Sequence, residues 1–206
     1  MKKSTLILLK TLVWLACLVP LARLVYGAVT NDLGADPTHT ITFATGLATL
    51  RLLTISLAIT PLRQLVPRLS WLIKFRRLLG LFAFFYGTLH LLTWAALYNG
   101  FDPSAMVADF VKRRYITAGI VAWTLMVPLA ATSTTWAIRK MGGKNWNRLH
   151  KLAYVSATAG IVHYWWQVKS GVITPLGMTL ILGVLLLARP VLDWRRKLRT
   201  KATVAA

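Results

Sequence analysis

The sequence predicts an all-α integral membrane protein, a six-transmembrane-helix bundle with N and C termini cytoplasmic. Three observations lead there. The chain is 56% hydrophobic with a mean hydropathy of +0.58, more apolar than a soluble domain of 206 residues needs to be. Runs of roughly 20 mostly uncharged apolar residues recur, each long enough at ~1.5 Å per residue to cross a ~30 Å hydrocarbon core. The cations, finally, gather on one side of the layout those runs imply.

The first span covers about 6–28 and follows Lys2 and Lys3, as a signal peptide would. It is long, however, and no small-x-small cleavage site ends it, so it reads as a retained helix. Its Cys17 is the single cysteine, which excludes an intrachain disulfide and CxxC chemistry. Asn31-Asp32 and Asp36-Pro37 precede a second span at about 41–60, which Pro61 and Pro67 close. The third, about 78–98, lies within "RRLLGLFAFFYGTLHLLTWAAL" and stops at Asn99-Gly100 and Pro103. A fourth covers about 115–136 and ends before Gly142-Gly143. The fifth covers about 150–168, and Gly171 and Pro175 mark the passage into a sixth at about 172–189. Connections this short make neighbouring helices antiparallel. Residues 1–206 read as one domain without an internal repeat or a low-complexity tail.

A net charge of +20 suggests nucleic acid until its distribution is read. Most of the 25 Lys and Arg fall in four stretches: Lys2 to Lys10, Arg63 to Arg77, Arg139 to Lys151 and Arg189 to Lys201. With six spans these share one face. The other face holds Lys112, Arg113, Arg114 and Lys169, together with every acid except Asp193. The positive-inside rule therefore puts both termini in the cytoplasm, and the charge reports topology and affinity for anionic lipid.

Four histidines remain to be explained. His39 sits in a short outer loop and reads as solvated. His90 lies in the outer half of span 3 and His163 in the outer half of span 5, at matched depth. Ionisable groups inside a membrane are costly, which makes them functional candidates; the plain alternative is a neutral histidine hydrogen-bonding across helices. Two at one depth on different helices favour ligation. His163 shares its face with Gly160, Ala159 and Ser156, and His90 shares its own with Gly87 and Ala83. Small residues serve close helix packing equally well. With two imidazoles, they suit a porphyrin clamped between helices, its iron ligated from both sides. Zinc or copper fits less well, because no further Cys, Asp or Glu lies at that depth.

His150 opens span 5 at the cytoplasmic edge. Over thirteen residues an ideal helix advances ~20 Å and turns ~140° away from a common face. Aiming both rings at one side would need a kink or π-bulge, such as one near Gly160. His150 is therefore the residue a second, cytoplasmic-side metal or cofactor site would use, opposite Arg76 and Arg77. Arg23 and Arg51 read as buried cations without a neighbouring acid, which a heme propionate would satisfy; Arg23, near a helix end, can equally snorkel. The Trp and Tyr residues near span ends form an aromatic belt, and Tyr86 and Tyr154 read as core. No catalytic residue is assigned.

"RRLLGLFAFFYGTLH", followed by "WNRLHKLAY…VHYWW" and preceded by "TGLATLRLLTISLAITPLR" at residues 45–63, resembles the ferric-reductase-like transmembrane family. The nearest branch is that of membrane subunits serving bacterial repair of oxidised protein methionine. The resemblance covers nearly the whole chain. It implies a six-helix cytochrome of the bacterial inner membrane carrying heme b, with flavin mononucleotide (FMN) also associated. Electrons would come from a cytoplasmic flavin reductase or the quinone pool. They would pass to a periplasmic molybdopterin catalytic subunit that reduces methionine sulfoxide. The family's histidines fall on His90, His150 and His163. Its second span-3 histidine falls near Arg76, which puts a second bis-histidine heme in doubt and leaves room for a flavin whose phosphate meets Arg76 or Arg77. The chain has no Gly-rich dinucleotide fingerprint of its own, as suits an electron-transfer subunit of an oxidoreductase complex. Ferric reduction, or quinone oxidation with another acceptor, is the alternative within the family. A small transporter is a reading from outside it, weakened by the lack of intramembrane carboxylates and of paired half-length segments.

Overall fold

The structure is a computed structural model. It describes residues 2–168 and 173–205, the side chains of 173, 174, 189, 193 and 195–205 excepted. Gly171, Lys169 and the basic side chains of the C-terminal stretch lie outside the described residues.

Every regular element among the described residues is a helix. Helix α1 runs Lys3–Val29 and contains Pro20. A proline nitrogen cannot donate, and the next turn of the ladder is also rerouted. The Tyr86 hydroxyl accepts from the Leu21 N–H at 3.1 Å and donates to the Cys17 carbonyl at 2.7 Å. Helix α2, Pro37–Leu65, starts where the Asp36 carboxylate accepts from the His39 N–H at 2.9 Å and Pro37 supplies a first-turn φ. A 3-10 stretch, Pro67–Phe75, leads into α3, Arg76–Thr93, which continues as a π turn, Trp94–Tyr98. Asp102 caps α4, Pro103–Lys112, through the Ser104 N–H at 2.8 Å. The remaining helices are α5 (Arg114–Ala131), α6 (Thr135–Met141), α7 (Gly143–Leu149), α8 (Leu152–Gln167) and α9 (Ile173–Ala205). Gly142, at φ 75° and ψ 147°, makes the corner between α6 and α7 in a conformation open to glycine.

Two helix pairs build the bundle, α2 with α3 and α5 with α8; α3–α5, α2–α8 and α2–α9 contacts join them. Small side chains let them close. Ala83 and Ala157 are fully buried at the centre of a core with Leu50, Leu53 and Met126. Two serines stitch helices through backbone carbonyls: Ser56 Oγ donates to Arg76 O at 3.0 Å and Ser156 Oγ to Ala122 O at 2.8 Å. In contrast, α1 leaves Ile7, Leu8, Leu12, Leu15 and Val19 exposed. Such a surface is stable against lipid, and in water it would be an aggregation liability.

Five stretches are long and apolar enough to cross a membrane: Lys3–Val29, Pro37–Leu65, Pro67–Tyr98, Arg114–Ala131 and Pro175–Leu192. The fifth span of the sequence reading is α8, whose 16 residues reach ~24 Å, short of a ~30 Å core. Two expected span boundaries move. The stretch 115–136 is cut after Ala131, where Thr132 and Ser133 turn the chain and donate their hydroxyls to Pro128 O and Leu129 O. The stretch 150–168 starts as helix only at Leu152. His150 and Lys151 occupy a turn between α7 and α8, so His150 and His163 do not share one helix. Helix α8 runs through Gly160 as regular α-helix, and a π turn occurs at Trp94–Tyr98.

Candidate cofactor site

One end of the bundle holds two histidines. His90, near the end of α3, and His163, near the end of α8, approach to 5.8 Å between ring centroids, with planes at 83°. Each ring is tied to the start of the neighbouring helix: His90 Nδ1 lies 2.9 Å from Thr42 O and His163 Nδ1 lies 2.6 Å from Tyr115 O. A carbonyl only accepts, so each Nδ1 carries the hydrogen. In a neutral imidazole this leaves Nε2 unprotonated and available as a ligand. Carbonyl contacts of this kind fix the tautomer of metal-binding histidines and raise their basicity.

Both rings border a narrow slot walled by Gly46, Gly87, Gly119 and Gly160. Two imidazoles ligating one metal from opposite sides, through bonds of about 2 Å, stand with centroids about 6 Å apart, close to the spacing found. Among the described residues no group of three or more His, Cys, Asp or Glu converges. The pair therefore suits a metal that would bring its remaining ligands with it, as the iron of a porphyrin does. Gly87, Gly160 and Ser156 face the slot as their shared helical faces predict. Ala83 lies in the core, and Ala159 lines a separate groove between α5 and α8.

The opposite end holds a cavity of about 530 Å3 whose wall includes Lys10, Arg63, Lys74, Arg76, Arg77 and His150. No acid lines it among the described residues. Arg77 Nη1 reaches Ser133 O at 3.5 Å. His150 stacks on Trp146 at 3.8 Å between centroids, and its Nε2 lies 3.2 Å from Thr132 Oγ1. The Thr132 hydroxyl donates to Pro128 O at 2.6 Å, so it accepts from His150 Nε2–H and leaves Nδ1 as the acceptor. Burial, and then the charge on Arg76, lower the His150 pKa from 6.5 to about 4, so the ring is neutral at pH 7. His150 shares this cavity with Arg63, Arg76 and Arg77, and no second histidine lines it among the described residues.

The structure thus sorts the sequence candidates into two groups, His90 with His163 and His150 with Arg76 and Arg77. Arg23 and Arg51 join neither. The expectation of burial is corrected for both: their side chains are exposed and line neither cavity. The interior of a polytopic protein is set by which helix faces meet, and depth along a helix says nothing of that. Sequence reading missed Thr42, Gly46, Tyr115 and Gly119 around the slot, and Thr132 and Trp146 beside His150. The only local signal was a glycine four residues after each carbonyl that holds a histidine.

The family model described as "Ferric reductase like transmembrane component" matches residues 45–161, a stretch that contains Gly46, His90, Gly119, His150 and Gly160. Curated proteins of the same length class align over most of the chain. The protein-methionine-sulfoxide reductase heme-binding subunit MsrQ of Ralstonia nicotianae is 52% identical over 159 residues, covering 77% of this chain and 72% of that protein. The proteins of that name from Herminiimonas arsenicoxydans and Xanthomonas axonopodis are each 44% identical. The first alignment covers 95% of this chain and 90% of the relative; the second covers 98% and 93%.

Proposed function

The chain belongs to the ferric reductase like transmembrane family, and on that premise we propose that it is the heme-binding, electron-carrying membrane subunit of a protein-methionine-sulfoxide reductase. One observation carries the reading. His90 and His163 converge at a spacing that suits a single metal, with Nδ1 committed to carbonyls and Nε2 free. The group they would hold is heme b, which supplies one-electron redox chemistry when bound. His90 and His163 would hold it through Nε2, with their tautomers fixed by the Thr42 and Tyr115 carbonyls, in a slot whose mostly apolar walls would exclude water.

Six crossings with both termini cytoplasmic complete the topology, in a bacterial inner membrane. Helix α8 is the short crossing, supported along its length by α5. The histidine end then faces the periplasm, where a molybdopterin catalytic subunit takes the electrons. The basic end faces the cytoplasm, where a flavin reductase or quinone supplies them. FMN is the group that suits the basic cavity, its phosphate meeting Arg76 or Arg77 and its ring system meeting the Trp146–His150 stack. His150 then serves a flavin, and a second heme is not proposed.

Purified protein decides the reading. We expect a Soret band and a low-spin bis-histidine spectrum, with His90→Ala and His163→Ala each losing most of the heme. Full low-spin heme in both variants would remove the assignment.

A further inference from the structure

We infer that Gly46 and Gly119 are matched seats for the two imidazoles. With the Thr42 and Tyr115 carbonyls they form two copies of one half-site, each fixing how its histidine presents Nε2 to the slot. The inference rests on the heme reading above and adds positioning residues to it.

The two half-sites have the same arithmetic. His90 lies 48 positions after the carbonyl that holds it, and His163 lies 48 positions after its own. In each, a glycine follows the carbonyl by one helical turn, at 46 and at 119, and another precedes the histidine by three residues, at 87 and at 160. One spacing relates Thr42 to Tyr115, Gly46 to Gly119, Gly87 to Gly160 and His90 to His163. The sequence shows no repeat because the residues between these positions differ; the correspondence appears only when the hydrogen bonds are known.

Glycines between membrane helices commonly serve close backbone approach. These two do something narrower. A Cβ built at Gly46 meets His90 Cε1 at 3.0 Å and Nδ1 at 3.1 Å. One built at Gly119 meets His163 Nδ1 at 2.8 Å and Cε1 at 3.0 Å. In both cases the nearest atoms belong to the imidazole that lies in the slot. Even a methyl group would push the ring away from its carbonyl, loosening the Nδ1–H···O=C bond and turning Nε2. Because the carbonyl lies one turn from the seat on the same helix, ring position and tautomer are set together.

Two experiments on the full-length, heme-loaded protein test this. Gly46→Ala and Gly119→Ala are compared with Gly183→Ala, where nothing lies within 4 Å of the added carbon. The readouts are the electron paramagnetic resonance of the low-spin ferric heme and the midpoint potential. Both seat variants should change the largest g value and move the potential in the same direction, with the control at wild-type values. Wild-type values in both seat variants, or a change in only one, overturn the matched half-sites.

In the second experiment, His90→Gly and His163→Gly are reconstituted with hemin and free imidazole or 1-methylimidazole. Imidazole can donate to Thr42 O or Tyr115 O, and the methylated ring cannot. Restoration of the low-spin spectrum should need about tenfold less imidazole in both variants. Equal potency would remove the carbonyls from the half-site. A wild-type protein that takes up no heme overturns the heme reading itself, an outcome distinct from either of these.

Discussion

Replacing Arg76 by Gln takes one charge from a cavity wall that otherwise keeps Arg63, Arg77, Lys74 and Lys10. A charge-assisted hydrogen bond to phosphate contributes about 1.5–3 kcal/mol, equivalent to a Kd change of about 10- to 150-fold. The lower part of that range is expected here, about 10- to 30-fold, because Arg77 and Arg63 remain to share the anion. Removing a cation from a cluster of cations also relieves repulsion, so the apo protein should be no less stable. The assay is quenching of flavin fluorescence on titrating protein in detergent, with FMN and riboflavin in parallel. Riboflavin has the ring system and lacks the phosphate. Wild-type protein should prefer FMN, and Arg76→Gln should weaken FMN binding while leaving riboflavin unchanged. Added salt should narrow the difference. Two results would refute the reasoning: equal affinity of wild-type protein for both flavins, or an equal loss for both in the variant, which would indicate lost packing.

His150→Ala should keep the heme held by His90 and His163 but slow its reduction by a cytoplasmic flavin system; loss of all heme would place His150 at the axial site. The proton on His150 is bound more weakly in the fold than in the unfolded chain, since its pKa falls from 6.5 to about 4. The stability contributed by the neutral ring is therefore whole above about pH 6.5 and is lost as pH falls towards 4. His150→Gln should flatten that acid limb in a pH series of thermal melts, and an unchanged limb would assign it to other groups. Tyr86→Phe deletes a fully buried hydroxyl between Leu21 N and Cys17 O and should cost about 2 kcal/mol. Its melting in detergent is the check: no change would mean that α1 closes the gap by itself. Reporter fusions after Asn99 should read periplasm and those after Pro67 and Gly143 cytoplasm; a reversed pattern would overturn the charge-based orientation.

Hydropathy alone determined that this chain is a set of membrane helices, because burying apolar side chains in lipid needs no partner and is written residue by residue. The breaks were legible for the same reason: Asp36-Pro37, Asn99-Gly100 and Gly142-Gly143 act on their own backbone. Depth was legible too, since 1.5 Å per residue fixes how far His90 and His163 lie along their helices. Only the tertiary structure decided which faces meet. A helix period constrains which residues share a stripe but not which stripe a neighbour covers, so Arg51 could be read as buried when α2 turns it outward. His150 was misread as helical because nothing local marks the turn at 150–151. The partners holding its ring are Thr132 on the preceding segment and Trp146 one turn back. The half-sites of Gly46 and Gly119 were out of reach in the same way. A glycine reads as flexibility or close packing until the atom occupying the space of its missing Cβ is known, and here that atom belongs to a histidine on another helix.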